Sequence, residues 1–142
     1  ISDDETISCK PMAQEALILV TPATTVEPSW EQLMALGFID HPDGAHHAGM
    51  LLTANYEQFQ HINDFEKKGF SNQIGLILEP VSRGIGFTVL PAHAVAAYPK
   101  PELINSHHLP VAVSETLYLA VRQQQALSNR MHTVINAVKK WL

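Results

Sequence analysis

A short polar segment, His41-Pro42-Asp43-Gly44-Ala45-His46-His47, combines the side-chain types most suited to holding a metal or an anion. Imidazole and carboxylate groups are ligands of zinc-type metals. However, His46 and His47 are adjacent, and adjacent side chains on a helix point in different directions. The spacing matches no standard zinc motif. We therefore predict neither a metal site nor a cofactor.

Two other interpretations of this segment remain open. Pro42, Asp43 and Gly44 are ordinary turn residues, so the segment can be a simple turn. It can also join a strand to the N-terminus of a helix, where unpaired backbone N–H groups suit an anionic ligand. A carboxylate facing such a ligand would repel it. We therefore expect the Asp43 side chain to cap the helix while backbone N–H groups face the ligand.

Catalytic chemistry has little support in the residue pattern. Asp40 and His41 form a potential acid–base pair, but no nucleophile or third group stands at a recognisable spacing from them. The isolated histidines His61, His93 and His132 are typical of surface or capping positions. We therefore predict no catalytic residues and no enzymatic activity.

The composition is that of a globular chain with the length of one domain. It has 142 residues, of which 46% are hydrophobic and 16% are charged, and its net charge is −5. No run of basic residues forms a phosphate-binding surface, so we expect this chain by itself not to bind DNA. The single Cys9 excludes an internal disulfide framework and suits a reducing, cytoplasmic compartment.

The sequence also predicts no membrane association. No apolar run is long enough to span a bilayer, and the N-terminal residues are unlike a signal peptide. Because the chain begins with isoleucine rather than methionine, we expect it to be a processed product or a fragment.

Strands and helices alternate along the sequence, which predicts crossover connections and a mostly parallel sheet. Residues 16–21 form a continuous apolar run stopped by Pro22, which is typical of a buried strand. Ser29 and Gln32 form the capping box of a helix that ends at Gly37. The other predicted strands are 38–40, 60–65, 85–90 and 115–121. The other predicted helices are residues 45–55, residues 92–97, a helix capped by Ser71 and a helix capped by Ser128. The helix capped by Ser71 has an apolar stripe of Ile74, Ile77, Leu78 and Val81.

The segment Val81-Ser82-Arg83-Gly84-Ile85-Gly86-Phe87-Thr88-Val89-Leu90-Pro91 takes a helix through a Gly-x-Gly turn into an apolar strand stopped by proline. It resembles a segment in the effector-binding domain of LysR-type transcriptional regulators. Further segments resemble that domain in the same order and cover nearly the whole chain. They are Glu15-Ala16-Leu17-Ile18-Leu19-Val20-Thr21-Pro22, Ser29-Trp30-Glu31-Gln32-Leu33 with Gly37-Phe38-Ile39, Glu115-Thr116-Leu117-Tyr118-Leu119-Ala120-Val121, and the helix from Ser128.

The resemblance implies an α/β fold of the periplasmic-binding-protein-like (type 2) class, with Rossmann-like lobes. One complete lobe and part of the other are expected in this chain. Residues 14–108 correspond to the second lobe, and residues 1–13 and 109–142 to late elements of the first lobe. The early first-lobe elements and the N-terminal helix-turn-helix of the family have no counterpart in the sequence.

The resemblance also implies a function. The chain would be the effector-sensing domain of a cytoplasmic regulator, binding a small molecule between its lobes and signalling to the helix-turn-helix, which alone contacts DNA. Self-association is expected through residues 45–65, from Ala45 to Phe65, with Leu51, Leu52 and Tyr56 as apolar contacts. The alternative is a periplasmic-type solute-binding protein or an α/β enzyme of similar topology.

Candidate effector-binding residues follow from the positions of strand ends. Ligands of open α/β sheets bind beyond the carboxyl ends of strands, and helix N-termini attract anions. These rules select His41, Asp43 and Gly44 after the strand 38–40, and Ser71 and Asn72 at the start of the next helix. The expected effector is a small polar metabolite that carries a carboxylate.

Overall fold

The computed structural model describes the backbone of residues 7–122 and the side chains of residues 14–116. The chain divides into two compact units, of which one consists of Ala16–Val113 and the other of Ile1–Glu15 with Ser114–Leu142. In the second of these, the strand β1 (Ile7–Pro22) pairs with β6 (Ser114–Arg122). There the Gln14 side-chain amide donates to the Thr116 hydroxyl at 2.9 Å.

The unit Ala16–Val113 alternates helices and strands between β1 and β6. Its elements in chain order are α1 (Trp30–Leu36), β2 (Phe38–Asp40), α2 (Gly44–Asn55), a 3-10 helix (Ile62–Asp64), β3 (Lys67–Phe70), α3 (Ile74–Ser82), β4 (Thr88–Pro91), α4 (Ala92–Ala96), a second 3-10 helix (Pro101–Leu103) and β5 (Ile104–His107). The predicted helix from Ser128 lies outside the described residues.

The strands form a mixed rather than a mostly parallel arrangement, so that part of the sequence prediction is wrong. β1 is antiparallel to both β4, with Leu17 opposite Pro91, and β5, with Pro22 opposite Ile104. The parallel pairing joins β2 to β3 and continues through a parallel bridge between Phe38 and Phe87. The β1–β4 and β1–β5 pairs are antiparallel because β4 and β5 both run in the direction opposite to β1.

Two local predictions about the segment before α3 are wrong. Residues 60–65 were expected to form a strand, but Ile62–Asp64 is a 3-10 helix because polar side chains satisfy its backbone locally. The Asp64 carboxylate accepts from the His61 N–H at 3.2 Å, and His61 Nδ1 accepts from the Asn63 N–H at 3.0 Å. The strand follows as β3.

Ser71 is not the N-cap of α3. Its hydroxyl closes a turn by accepting from the Gln73 N–H at 3.1 Å and donating to the Gln73 carbonyl at 3.2 Å. Gln73 is therefore the N-cap, and the helix begins at Ile74. The expected α3 stripe is otherwise confirmed, because Ile77, Leu78 and Val81 are buried. The strand expected at 85–90 begins later, at Thr88, because the Ile85 N–H closes a turn onto the Pro80 carbonyl at 3.0 Å.

The core lies between α2 and the strands and is centred on aromatic side chains. The Phe87 ring lies 5.3 Å from that of Phe38 and 5.0 Å from that of Phe65, measured between centroids. Leu51 and Leu52 belong to the same cluster, with 2% and 0% exposure. They were expected on a partner-binding face, and that prediction is wrong because this face of α2 packs on the core. No helix among the described residues has the length and hydropathy needed to cross a membrane.

Candidate functional site

The carboxyl ends of β2, β3 and β4 meet at one edge of the unit Ala16–Val113. The Ser71 N–H after β3 donates to the Asp40 carbonyl at the end of β2, at 3.1 Å. The His41 ring nitrogen Nε2 lies 2.9 Å from the Val89 carbonyl in β4. All five sequence-predicted effector positions follow directly after these strand ends, so the fold brings the His41–Gly44 segment and the Ser71–Asn72 segment to the same edge.

His41 contributes a buried side chain to this edge. His41 is 2% exposed. The centroid of its ring lies 5.7 Å from the centroid of the His47 ring. Because the Val89 carbonyl accepts a hydrogen bond, Nε2 carries the proton of the neutral ring. Burial lowers the pKa of His41, although the hydrogen bond to Val89 opposes that shift. The imidazole therefore acts as an uncharged link between β2 and β4.

Asp43 does not play the role expected of it. It occupies the N-cap position of α2, but its side chain makes no capping hydrogen bond, so the predicted cap is wrong. The Asp40 carboxylate, rather than that of Asp43, lies beside the first turn of α2. Its Oδ1 accepts from the His41 N–H at 2.9 Å, and a Cβ added at Gly44 would collide with that oxygen. A carboxylate against the first turn of a helix stabilises the helix dipole.

Lys67, the first residue of β3, reaches Asp40 with its side chain and adds a positive charge beside it. Its Nζ lies 3.0 Å from Asp40 Oδ2, which links the parallel strands β2 and β3 through their side chains. The sequence pattern indicates Asp40 only as a partner of His41 and does not indicate Lys67. The available signal was that the charged Asp40 ends a strand whose other residues, Phe38 and Ile39, are apolar and buried.

Ser71 and Asn72 lie at the start of the turn that leads into α3. Ser71 is half-buried and Asn72 is exposed. Gln73, the N-cap, makes no side-chain hydrogen bond to the helix. The first N–H groups of a helix have no partner within the helix, so this end of α3 presents donors and a partial positive charge, and its first turn contains no acidic residue.

Pockets lined by described residues also open on the same unit. One of about 230 Å³ lies beside β2 and β3, one of about 620 Å³ follows the outer face of α2, and one of about 420 Å³ lies near the end of α2. The five predicted effector residues line none of these three pockets. Among the described residues, no group of three or more His, Cys, Asp or Glu side chains is placed to hold a metal.

We expect the free energy of unfolding to decrease when the pH is lowered from about 7.5 to about 5. Burial lowers the pKa of both His41 and His107 in the folded chain, below the ordinary 6.5. The unfolded chain then takes up protons near pH 6.5 while these folded histidines stay neutral. Stability is complete above that pH and is lost as the pH falls towards the folded pKa values, at up to about 1.4 kcal/mol per pH unit for each group.

Urea denaturation across this pH range measures the effect. His41→Gln removes one of the two groups, so its stability should depend less steeply on pH than that of the unsubstituted chain. His46→Gln removes an exposed histidine from the same helix end and serves as the matched control. An unchanged pH dependence in His41→Gln would contradict the prediction.

The fold is an α/β unit whose parallel strands end at a polar edge, with one long strand, β1, shared by two units. A family model described as the LysR substrate binding domain matches residues 1–142. The chain belongs to this family. It is therefore an effector-binding domain of LysR-type regulators, as the sequence analysis expected, and a periplasmic solute-binding protein or an enzyme is not favoured.

Solved structures show the same fold at low sequence identity. Full-length OxyR C199D from Pseudomonas aeruginosa is 19% identical with a TM-score of 0.64, over 98% of this chain and 52% of that one. The regulatory domain of OxyR2 E204G from Vibrio vulnificus, described as sulfate-bound, is 13% identical with a TM-score of 0.63, over 100% of this chain and 69% of that one. HinK, a LysR family transcriptional regulator from Pseudomonas aeruginosa, is 17% identical with a TM-score of 0.58, over 94% of this chain and 47% of that one.

The chain thus spans about half the length of the OxyR and HinK structures that it matches. No curated protein matches the sequence.

Proposed function

We propose that this chain senses a small-molecule effector and passes the signal to the DNA-binding part of a cytoplasmic transcriptional regulator. We propose that the compact unit Ala16–Val113 corresponds to the main body of the second lobe, which the sequence predicted over residues 14–108. The chain acts as a sensor rather than as a catalyst, and contact with DNA belongs to the helix-turn-helix of the regulator. Membership of the LysR substrate-binding family supports this role.

We propose further that the effector binds at the carboxyl edge of β2, β3 and β4, beside His41, Asp43, Gly44, Ser71 and Asn72. The observation that carries this proposal is the hydrogen bond from the Ser71 N–H to the Asp40 carbonyl, because it joins both candidate segments at one edge. Ligands of α/β sheets bind at this edge of parallel strands.

The charges at this edge favour one orientation of an anionic effector. The Asp40 carboxylate already lies against the first turn of α2, so a second carboxylate there would be repelled. The start of α3 has no such group on its N-cap. The effector carboxylate therefore lies near Ser71 and Asn72, and uncharged polar groups of the effector face the segment from His41 to Gly44.

Succinate and sulfate are suitable probe anions, the second because the related OxyR2 structure is described as sulfate-bound. Titration followed by backbone amide NMR should give saturable shifts at Ser71, Asn72 and Gln73. Asn72→Asp should weaken binding at least about tenfold through charge repulsion. Gln58→Glu adds the same charge at an exposed turn and should leave binding unchanged. Shifts confined to other residues, or equal binding by Asn72→Asp, would exclude this site.

Self-association fits the outer face of α2 rather than the residues first expected. A groove of about 620 Å³ follows this face, and its lining includes Ala45, His46, Gly49, Met50, Thr53 and Phe59. Small residues along a helix allow a second element to approach closely. We propose that a second copy of the domain packs in this groove, so that the expected region 45–65 is retained while Leu51 and Leu52 remain in the core.

A further inference from the structure

A pocket beside β2 and β3 has the size and charge of a site for a small metabolite. Its volume is about 230 Å³, below the roughly 300–1,000 Å³ typical of sites for drug-sized ligands. It shares no residue with the proposed effector positions. We call it the β2–β3 pocket, and its lining consists of Phe38, Asp40, Ala45, His61, Ile62, Asn63, Phe65 and Lys67.

One part of this pocket carries two opposite charges in contact. Lys67 Nζ lies 3.0 Å from Asp40 Oδ2, while Asp40 Oδ1 accepts from the His41 N–H. The Lys67 side chain is 60% exposed and the Asp40 side chain 20% exposed, so both remain accessible from solvent. An ammonium group has three donors and a carboxylate about four acceptor positions. The pair therefore retains capacity to donate to one ligand group and accept from another.

The other walls are apolar and held in place by the core. Phe38 and Phe65 are 2% and 5% exposed, and each packs on Phe87. Ile62 is half-buried beside them. At the same pocket, His61 Nδ1 accepts from the Asn63 N–H, so the neutral His61 ring keeps its proton on Nε2 as a further donor. The pocket is thus preformed, with a polar end and an apolar end.

The spacing of the two charges selects the class of ligand. A ligand with only a carboxylate is attracted to Lys67 but repelled by Asp40. A ligand with only an ammonium group is attracted to Asp40 but repelled by Lys67. An α-amino acid carries an ammonium and a carboxylate on one carbon, so it can place opposite charges on both partners at once. We propose that the β2–β3 pocket binds a small aliphatic α-amino acid, with its ammonium on Asp40, its carboxylate on Lys67 and its side chain against Ile62 and the two phenylalanines.

Isothermal titration of the full 142-residue chain with L-valine tests this site. Isovalerate and isobutylamine are matched probes that lack the ammonium and the carboxylate of valine, respectively. We expect saturable binding of L-valine and at least about tenfold weaker binding of either single-charge probe, because each probe places a like charge beside one member of the Lys67–Asp40 pair and offers that member no opposite charge. The absence of saturable L-valine binding, or equal binding of isovalerate, would overturn the proposal.

Variants locate the site without depending on Asp40, whose loss threatens the start of α2. Lys67→Met keeps the aliphatic stem and should weaken L-valine binding at least about tenfold. Lys68→Met changes the neighbouring lysine, which pairs with Glu66 outside the pocket, and should bind as the unsubstituted chain does. Asn72→Ala changes the proposed effector edge and should also leave L-valine binding intact. If Asn72→Ala weakens binding as much as Lys67→Met, the amino acid binds at the effector edge instead.

Discussion

Leu52→Glu should abolish the folded state of the chain. Leu52 is fully buried on the inner face of α2, in the cluster that contains Phe38 and Phe87. The substitution removes an aliphatic side chain from the core, which alone costs about 2–5 kcal/mol, and adds a carboxylate with no partner there. The sum is comparable to the whole stability of about 5–15 kcal/mol of a typical domain. Far-UV circular dichroism and amide NMR dispersion would show the loss of structure.

Thr53→Glu is the matched control, because Thr53 is the next residue of α2 and is exposed. We expect it to keep the folded spectrum. If the groove along α2 holds a second copy, Thr53→Glu should also shift sedimentation towards the monomer, since Thr53 lines that groove. A folded, native-like Leu52→Glu chain would contradict the placement of Leu52 in the core.

The contrast between Leu52 and Thr53 shows what the sequence could predict about α2. Composition without proline correctly predicted a helix over residues 45–55, and the structure has Gly44–Asn55. Apolar residues occur around much of this helix, so periodicity alone did not decide which side packs inward. The resemblance suggested an interface on this helix, and Leu51 and Leu52 were assigned to it. The tertiary contacts of α2 with β4 and the aromatic core determine the opposite orientation.

The sequence likewise predicted one part of the candidate site and missed another. The strand-end rule selected the His41–Gly44 segment because β2 was bounded correctly as residues 38–40, and the expected helix start selected Ser71 and Asn72. They missed Lys67 because it is the first residue of β3, at the amino end of that strand, and because the strand was assigned to residues 60–65 instead of Lys67–Phe70. The pairing of β2 with β3 also shifts register between Phe38 and Ile39, so that Phe38 faces Lys67 and Ile39 faces Gly69. Such an irregular register depends on three-dimensional packing and has no signature in the local sequence.

Gly37→Ala should be among the most damaging single-methyl additions in the chain. Gly37 joins α1 to β2 with φ 82° and ψ 171°, a conformation that is essentially restricted to glycine. An added Cβ would lie 2.9 Å from the Glu66 carbonyl oxygen and 2.6 Å from Lys68 Cγ. The backbone cannot shift freely, because the Gly37 carbonyl accepts from the Phe87 N–H at 2.8 Å. We expect the free energy of unfolding to fall by about 3 kcal/mol.

Gly84→Ala measures the cost of a positive φ at a position where the added methyl group meets no other atom. Gly84 also has a positive φ of 83°, but a Cβ there would meet nothing within 4 Å. The decrease in the free energy of unfolding of Gly84→Ala should therefore be limited to the cost of a left-handed backbone conformation, about 1–2 kcal/mol. Urea denaturation of the two variants gives the difference directly. If Gly84→Ala destabilises the chain as much as Gly37→Ala, the close approach of β3 to Gly37 contributes nothing, and the position of Gly37 between α1 and β2 is explained by its backbone angles alone.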